Sequence, residues 1–209
     1  MGVFLMLEVS TSMPKTKKGL HTFNKICMSA EKLFHEKTYH AATINDIVND
    51  ANLGVGTFYI YFDSKRSLYR HLVLSYYHDI RKSIAEKTKD CKTRLECEKL
   101  GLRAFLDYVI KKPHAYTIIW QSLLVDRELF VDYYTSFADR YKKQLDESIE
   151  NGEVNPEIDT IALAYALMGI SNFVGLETIF FHTDVLEEKR IDQIVDSVMI
   201  MLEKGIKRS

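Results

Sequence analysis

Chain breakers are scarce in this sequence: three prolines and nine glycines among 209 residues. A sandwich or barrel of short strands needs such residues at every turn, so the shortage argues against β architecture and for long helices. Cysteine is just as sparse. Cys27, Cys91 and Cys97 are odd in number and form no Cys-x-x-Cys pair, so no disulfide framework is expected and a reducing cytoplasm fits. The longest apolar stretch, 158–181, is interrupted by Asp159, Asn172 and Glu177, and no membrane association is expected. The apolar start Met1–Leu7 is too short for a secretory core and has no basic residue before it. Met6 stands where a myristoylation signal after Gly2 would need Ser or Thr. Met13-Pro14-Lys15 reads as an alternative start, which leaves 1–12 as an extension.

Catalytic signatures are missing as well. His21, His35, His40, His71, His78, His114 and His182 show no metal-ligand spacing. No nucleophile elbow, phosphate-binding loop or dinucleotide fingerprint occurs. Neither an enzyme nor a cofactor or metal is expected.

What is present is an ordinary globular balance, 46% hydrophobic and 27% charged, enough for a small module and a larger domain. The formal charge of −1 is unevenly spread. Met1–Arg70 carries nine basic and six acidic residues, a net +3, which leaves −4 on the remainder. A basic front suits contact with a polyanion at one end only.

Helical periodicity begins near Leu20, where Phe23, Ile26, Cys27, Ala30, Leu33 and Phe34 make one apolar stripe ending near Lys37. Thr43-Ile44-Asn45-Asp46 reads as a capping box that opens a short second helix, with Ile44, Ile47, Val48 and Ala51 facing inward. Asn52 and Gly54 break it, and a third short helix is expected over 55–61. Asp63-Ser64 caps a longer fourth helix. Further helices are expected over 93–111, 113–125, 126–150, 156–181 and 186–206.

Three short helices with a tight turn before the third make a helix-turn-helix. The run Gly54-Val55-Gly56-Thr57-Phe58-Tyr59-Ile60-Tyr61-Phe62-Asp63-Ser64-Lys65, with Leu68 beyond, resembles the signature of the tetracycline-repressor (TetR) family. The resemblance reaches back through Ala51, Val48, Ile47, Ile44 and Thr43 to Phe34, Leu33 and Ala30, and covers about 23–72. It implies that 55–61 is a recognition helix in the major groove, with Val55, Gly56, Thr57, Tyr59, Ile60 and Tyr61 against bases or phosphates. It also implies that Lys65 and Thr43 reach phosphates. The chemistry agrees: Thr57 offers a hydroxyl and a methyl, Gly56 allows close backbone approach, and Ile60 favours thymine methyls. Tyr59 and Tyr61, two apart on a helix, splay towards different flanks. Phe58 and Phe62 follow the inward face and read as core. Three positions depart from the commoner pattern. Gly54 weakens the helix cap by a few tenths of a kcal/mol, Val55 removes a polar contact, and Asn52 replaces a turn glycine.

The C-terminal half is rich in aromatics on helical segments. By analogy with the family, Tyr108, Trp120, Tyr134, Phe137 and Phe173 would line a cavity for a hydrophobic or amphipathic effector, against the plainer reading of ordinary core. The last two helices resemble the family's dimerisation pair. Ala162, Ala166, Gly169, Phe173 and Leu176 make one face, and Ile191, Ile194, Val195, Val198, Met199 and Leu202 a seam. Burial of that seam within one subunit is the competing reading.

The expected fold is all-α: a flexible extension at 1–19, a helix-turn-helix DNA-binding domain at 20–64, and a connecting helix with a larger ligand-binding and dimerisation domain at 65–209. The expected function is a cytoplasmic, homodimeric transcription repressor that binds double-stranded DNA at a palindromic operator and is released by a small-molecule effector. The rival is a helical interaction protein that keeps its helix-turn-helix for packing only.

Overall fold

The computed structural model describes residues 13–181 and 188–206, with side chains to Glu203. The proposed extension 1–12 and the start of the last helix at 186–187 lie outside them. Among the described residues the chain forms nine α-helices and no strand: α1 Lys17–Ala41, α2 Ile44–Asp50, α3 Val55–Tyr61, α4 Lys65–Thr88, α5 Arg94–Lys111, α6 Pro113–Val125, α7 Arg127–Glu150, α8 Thr160–Phe180 and α9 Glu188–Ile206.

Local chemistry sets most of these bounds. Thr16 accepts from the Gly19 amide and starts α1 three residues earlier than the apolar stripe suggests, so Lys17 and Lys18 lie in its first turn. The Thr43–Asp46 capping box opens α2 with both reciprocal bonds formed. Asn52, at φ 56°, takes the left-handed conformation that ends it. Gly54 precedes α3 with no side-chain cap, as its missing side chain requires. Ser64 and Ser67 exchange hydroxyl–amide bonds at the start of α4. α8 begins at Thr160 rather than 156, because the Asp159 carboxylate accepts from the Ile161 and Ala162 amides.

The chain divides into two compact units, one reaching to Tyr77 and including His114–Phe130, the other holding His78–Pro113 and Val131 onward. The first is larger than the 20–64 segment, since it adds the front of α4 and all of α6. Its core is fully buried: Ile26, Phe34, Ile47, Phe58, Phe62, Leu68, Tyr69 and Ile118. At roughly 2–3 kcal/mol for each large apolar side chain, this packing rather than helix propensity holds the seven-residue α2 and α3 in place.

In the second unit, α5 packs against α8 and α9. Leu145, Val154, Ala164, Leu167 and Leu202 form a buried cluster, with Val198 and Met199 against it. Ile191, Ile194 and Val195 are buried too. The apolar seam expected to meet a second subunit is therefore used inside this one, because α5 and the α7–α8 connection offer it an apolar surface. What faces outward instead is Ile200 and Met201 on α9, and Tyr165, Phe173 and Phe180 on α8. By length and composition α8 alone among the described helices could cross a bilayer.

A second expectation fails. Cys91 and Cys97 form a disulfide, with their Cα atoms 5.4 Å apart. Cys97 sits one turn into α5, where side chains lean towards the helix N-terminus and so back onto the connection that carries Cys91. Cys27 stays free, and burial pushes its thiol up to about 12.

Candidate nucleic-acid interface

The helix-turn-helix lies wholly in the first unit. Phe58 and Phe62 are almost completely buried, and the Phe23 ring stacks on Phe62 with centroids 5.1 Å apart. With one side of α3 pinned this way, the opposite side turns outward. Val55, Gly56, Tyr59 and Ile60 are exposed, Tyr59 at 55% and Ile60 at 62%, and Thr57 is half-buried beside them. Large apolar groups left in water on a seven-residue helix are costly unless something covers them. At Gly56 no neighbour approaches within 4 Å of where a side chain would begin, so the backbone there is open.

Thr43 is exposed one helix away. Its hydroxyl accepts from the Asp46 amide and donates to the Asp46 carboxylate, while its own amide also donates to that carboxylate. These bonds from Thr43, first the backbone one, hold the Asp46 carboxyl below the usual range. The capping role is thus in place.

Tyr61 and Lys65 sit differently from the other expected contacts. The Tyr61 ring packs edge-on against Phe23, 5.7 Å between centroids, and is half-buried. The Lys65 ammonium turns inward: it donates to the Tyr39 carbonyl at 2.8 Å and the Ala42 carbonyl at 2.7 Å, and lies 4.4 Å from the centre of the Tyr39 ring. The end of α1 leaves carbonyls without helical partners, and a cation answers them well. Burial of this ammonium lowers its pKa.

No motif in the sequence marks the supports behind this surface. Thr38, inside α1, adopts φ 69° and ψ 162°, a region that glycine alone enters freely. Gln121 of α6 brackets this break, its amide donating to the Phe34 carbonyl and its oxygen accepting from the Tyr39 amide, each at 3.0 Å. Asp126, 2% exposed, accepts from Arg66 at 3.0 Å and Arg70 at 2.8 Å, and caps α7 through the Leu129 amide. Burial pushes its carboxyl up, but the Arg66 and Leu129 hydrogen bonds and the Arg70 charge outweigh it and hold the group low. Apart from the local Leu129 cap, these partners are separated by 56 to 87 positions, too far for any local motif to reveal.

Of the expected effector residues, Trp120 belongs to the first unit and Tyr108, Tyr134, Phe137 and Phe173 to the second. Tyr108 is buried. Tyr134 donates to the Asn172 side chain at 3.2 Å, and burial raises its phenol to about 12. Phe137 is half-buried, between the rings of Tyr133 and Tyr141. Phe173 departs from expectation: it is 70% exposed, because it falls on the side of α8 opposite buried Ala164 and Leu167. Deeper in this unit Glu98 is buried between Arg94 and the Tyr141 hydroxyl, and desolvation raises its carboxyl despite both.

The profile of bacterial regulatory proteins of the tetR family matches residues 26–72, the segment from mid-α1 to early α4. Over 155 residues the chain is 23% identical to a probable helix-turn-helix transcriptional regulator, YttP of Bacillus subtilis (strain 168), a match covering 73% of this chain and 75% of that one. The fold is shared with a TetR family transcriptional regulator from Chloroflexus aurantiacus J-10-FL, at TM-score 0.77 and 18% identity over 95% of this chain and all of that one. It is shared also with the fatty acid degradation regulator FadR of Bacillus halodurans, at TM-score 0.77 and 17% identity over 91% and 96%. The segment 26–72, which holds most of the trihelical head and its outward-facing α3, is thus similar to bacterial regulatory proteins of the tetR family.

Proposed function

We propose that the chain works in the cytoplasm as a homodimeric repressor, released from a palindromic operator by a hydrophobic or amphipathic effector. The observation that carries this reading is the division of α3 into a buried Phe58–Phe62 side and an uncovered side bearing Val55, Gly56, Tyr59 and Ile60. Those four, with Thr57 and Thr43, are the groups we assign to the DNA; Tyr61 and Lys65 act from behind, as props.

Two copies joined through the uncovered apolar residues of α8 and α9 would set their recognition helices about one helical turn of DNA apart, roughly 34 Å or a little more. Tyr134 with Asn172 would give an effector a polar contact among the aromatics of α5 and α7. Effector and operator would then oppose each other by about 1–3 kcal/mol, equally in both directions.

Titration of fluorescent generic duplex DNA across a salt series tests the core of the reading. Binding should weaken steeply with salt, and Tyr59→Ala should cost about 1 kcal/mol while leaving the hydrodynamic size unchanged. Salt-insensitive binding, or none at low salt, would sink it.

A further inference from the structure

The strained turn at the end of α1 sits directly ahead of the helix-turn-helix. Beyond Thr38 only Tyr39–Ala42 separate the break from Thr43, the cap of α2, and α2 leads into α3. In an unbroken helix the Tyr39 amide would donate to the His35 carbonyl, and the Phe34 carbonyl would accept from the Thr38 amide. With Thr38 out of helical conformation, the Gln121 side chain gives one group on each side of the break a partner. On the other flank Lys65 binds the Tyr39 and Ala42 carbonyls. The Tyr39 ring lies against Phe34 and Tyr69, 5.5 and 4.9 Å between centroids. A β-branched residue at positive φ does not hold that conformation unaided.

We propose that Gln121 is a positioning residue for DNA binding: from α6 it clamps the α1 break and thereby fixes where α2 and the recognition helix begin. The inference rests on the DNA-reading assignment above and adds to it a residue outside the helix-turn-helix motif. The amide side chain is what the task needs, since one end must donate and the other accept. Glutamate keeps only the acceptor for Tyr39; alanine keeps neither.

The 209-residue chain and three variants decide the matter, with generic duplex DNA at low salt as the probe. Gln121→Ala should weaken binding about tenfold and speed hydrogen exchange at the Tyr39 amide. Adding Thr38→Gly should restore affinity to within about twofold of the parent, because glycine takes up the break without help. Ile119→Val, which trims the core of the same unit, should bind as the parent does even at a matched loss of Tm. Parent-like binding by Gln121→Ala, or failure of Thr38→Gly to restore it, would overturn the proposal. Should Gln121→Ala not fold, Gln121→Glu takes its place, with the same rescue expected. If the parent ignores duplex DNA, the DNA reading itself fails. The clamp is then judged by exchange alone, and equal Tyr39 rates in parent and variant reject it.

Discussion

Thr38 pays for its position in backbone strain of about 1–3 kcal/mol. Replacing it by glycine removes the clash and adds back some unfolded-state entropy, so Thr38→Gly should raise stability by a net ~1 kcal/mol. A higher urea midpoint at unchanged slope is the expected record; an equal or lower one would show that the turn is relaxed as it stands. His71 carries a second residue-scale consequence. Its ring lies 5.0 Å from Phe23 and 5.8 Å from Phe62, and burial there lowers its pKa. The neutral ring is the form the fold prefers. Its contribution is therefore intact above the ordinary histidine value of about 6.5 and drains away as the pH falls through the depressed one. Urea midpoints measured from pH 7 down to pH 5 should decline, and His71→Phe should remove part of that decline. His35, lowered by burial and by His114 stacked 4.0 Å away, contributes to the residual slope in the same direction.

At the scale of elements, Asp126 ties the front of α4 to the α6–α7 corner. Asp126→Asn keeps the α7 cap but leaves Arg70, 13% exposed, without its best counter-charge. Arg66 is 56% exposed and contributes little. The expected loss is about 2 kcal/mol, less than for a wholly buried pair, read as a lower Tm with helix content unchanged; an unaltered Tm would mean that Glu128, 3.8 Å from Arg70, suffices. Helix order was legible in the sequence because caps are local: Thr43 with Asp46, Asn52, Ser64 and Thr93 lie within a turn of what they cap. α3 and α6 begin and end where the pattern puts them. Periodicity says which face is apolar, however, and not what covers it. The α9 stripe is apolar as its spacing predicts but packs within its own chain, and Phe173, expected both in a cavity and on a dimerisation face, faces outward on a helix that is apolar nearly all round. Thr38, Gln121 and the inward turn of Lys65 were invisible for a different reason: each depends on tertiary proximity, not on spacing along the chain.

For the whole molecule the central question is what covers Tyr165, Phe173 and Phe180 on α8, with Ile200 and Met201 on α9. A second copy is the covering we assign. Phe173→Glu, at a position 70% exposed in the single chain, should leave folding intact and place a charge in the shared face. Light scattering should then report a monomer, and affinity for generic duplex should fall because one recognition helix replaces two. A variant that remains dimeric would move the interface elsewhere on the molecule.

The Cys91–Cys97 bridge spans a stretch already secured by other means: Thr93 caps α5, and Glu96 accepts from the Lys92 amide. Closing so short a ring restricts the denatured chain more than it reshapes the native one. Reduction is accordingly expected to leave the helix content unchanged and to show itself only as an earlier unfolding transition.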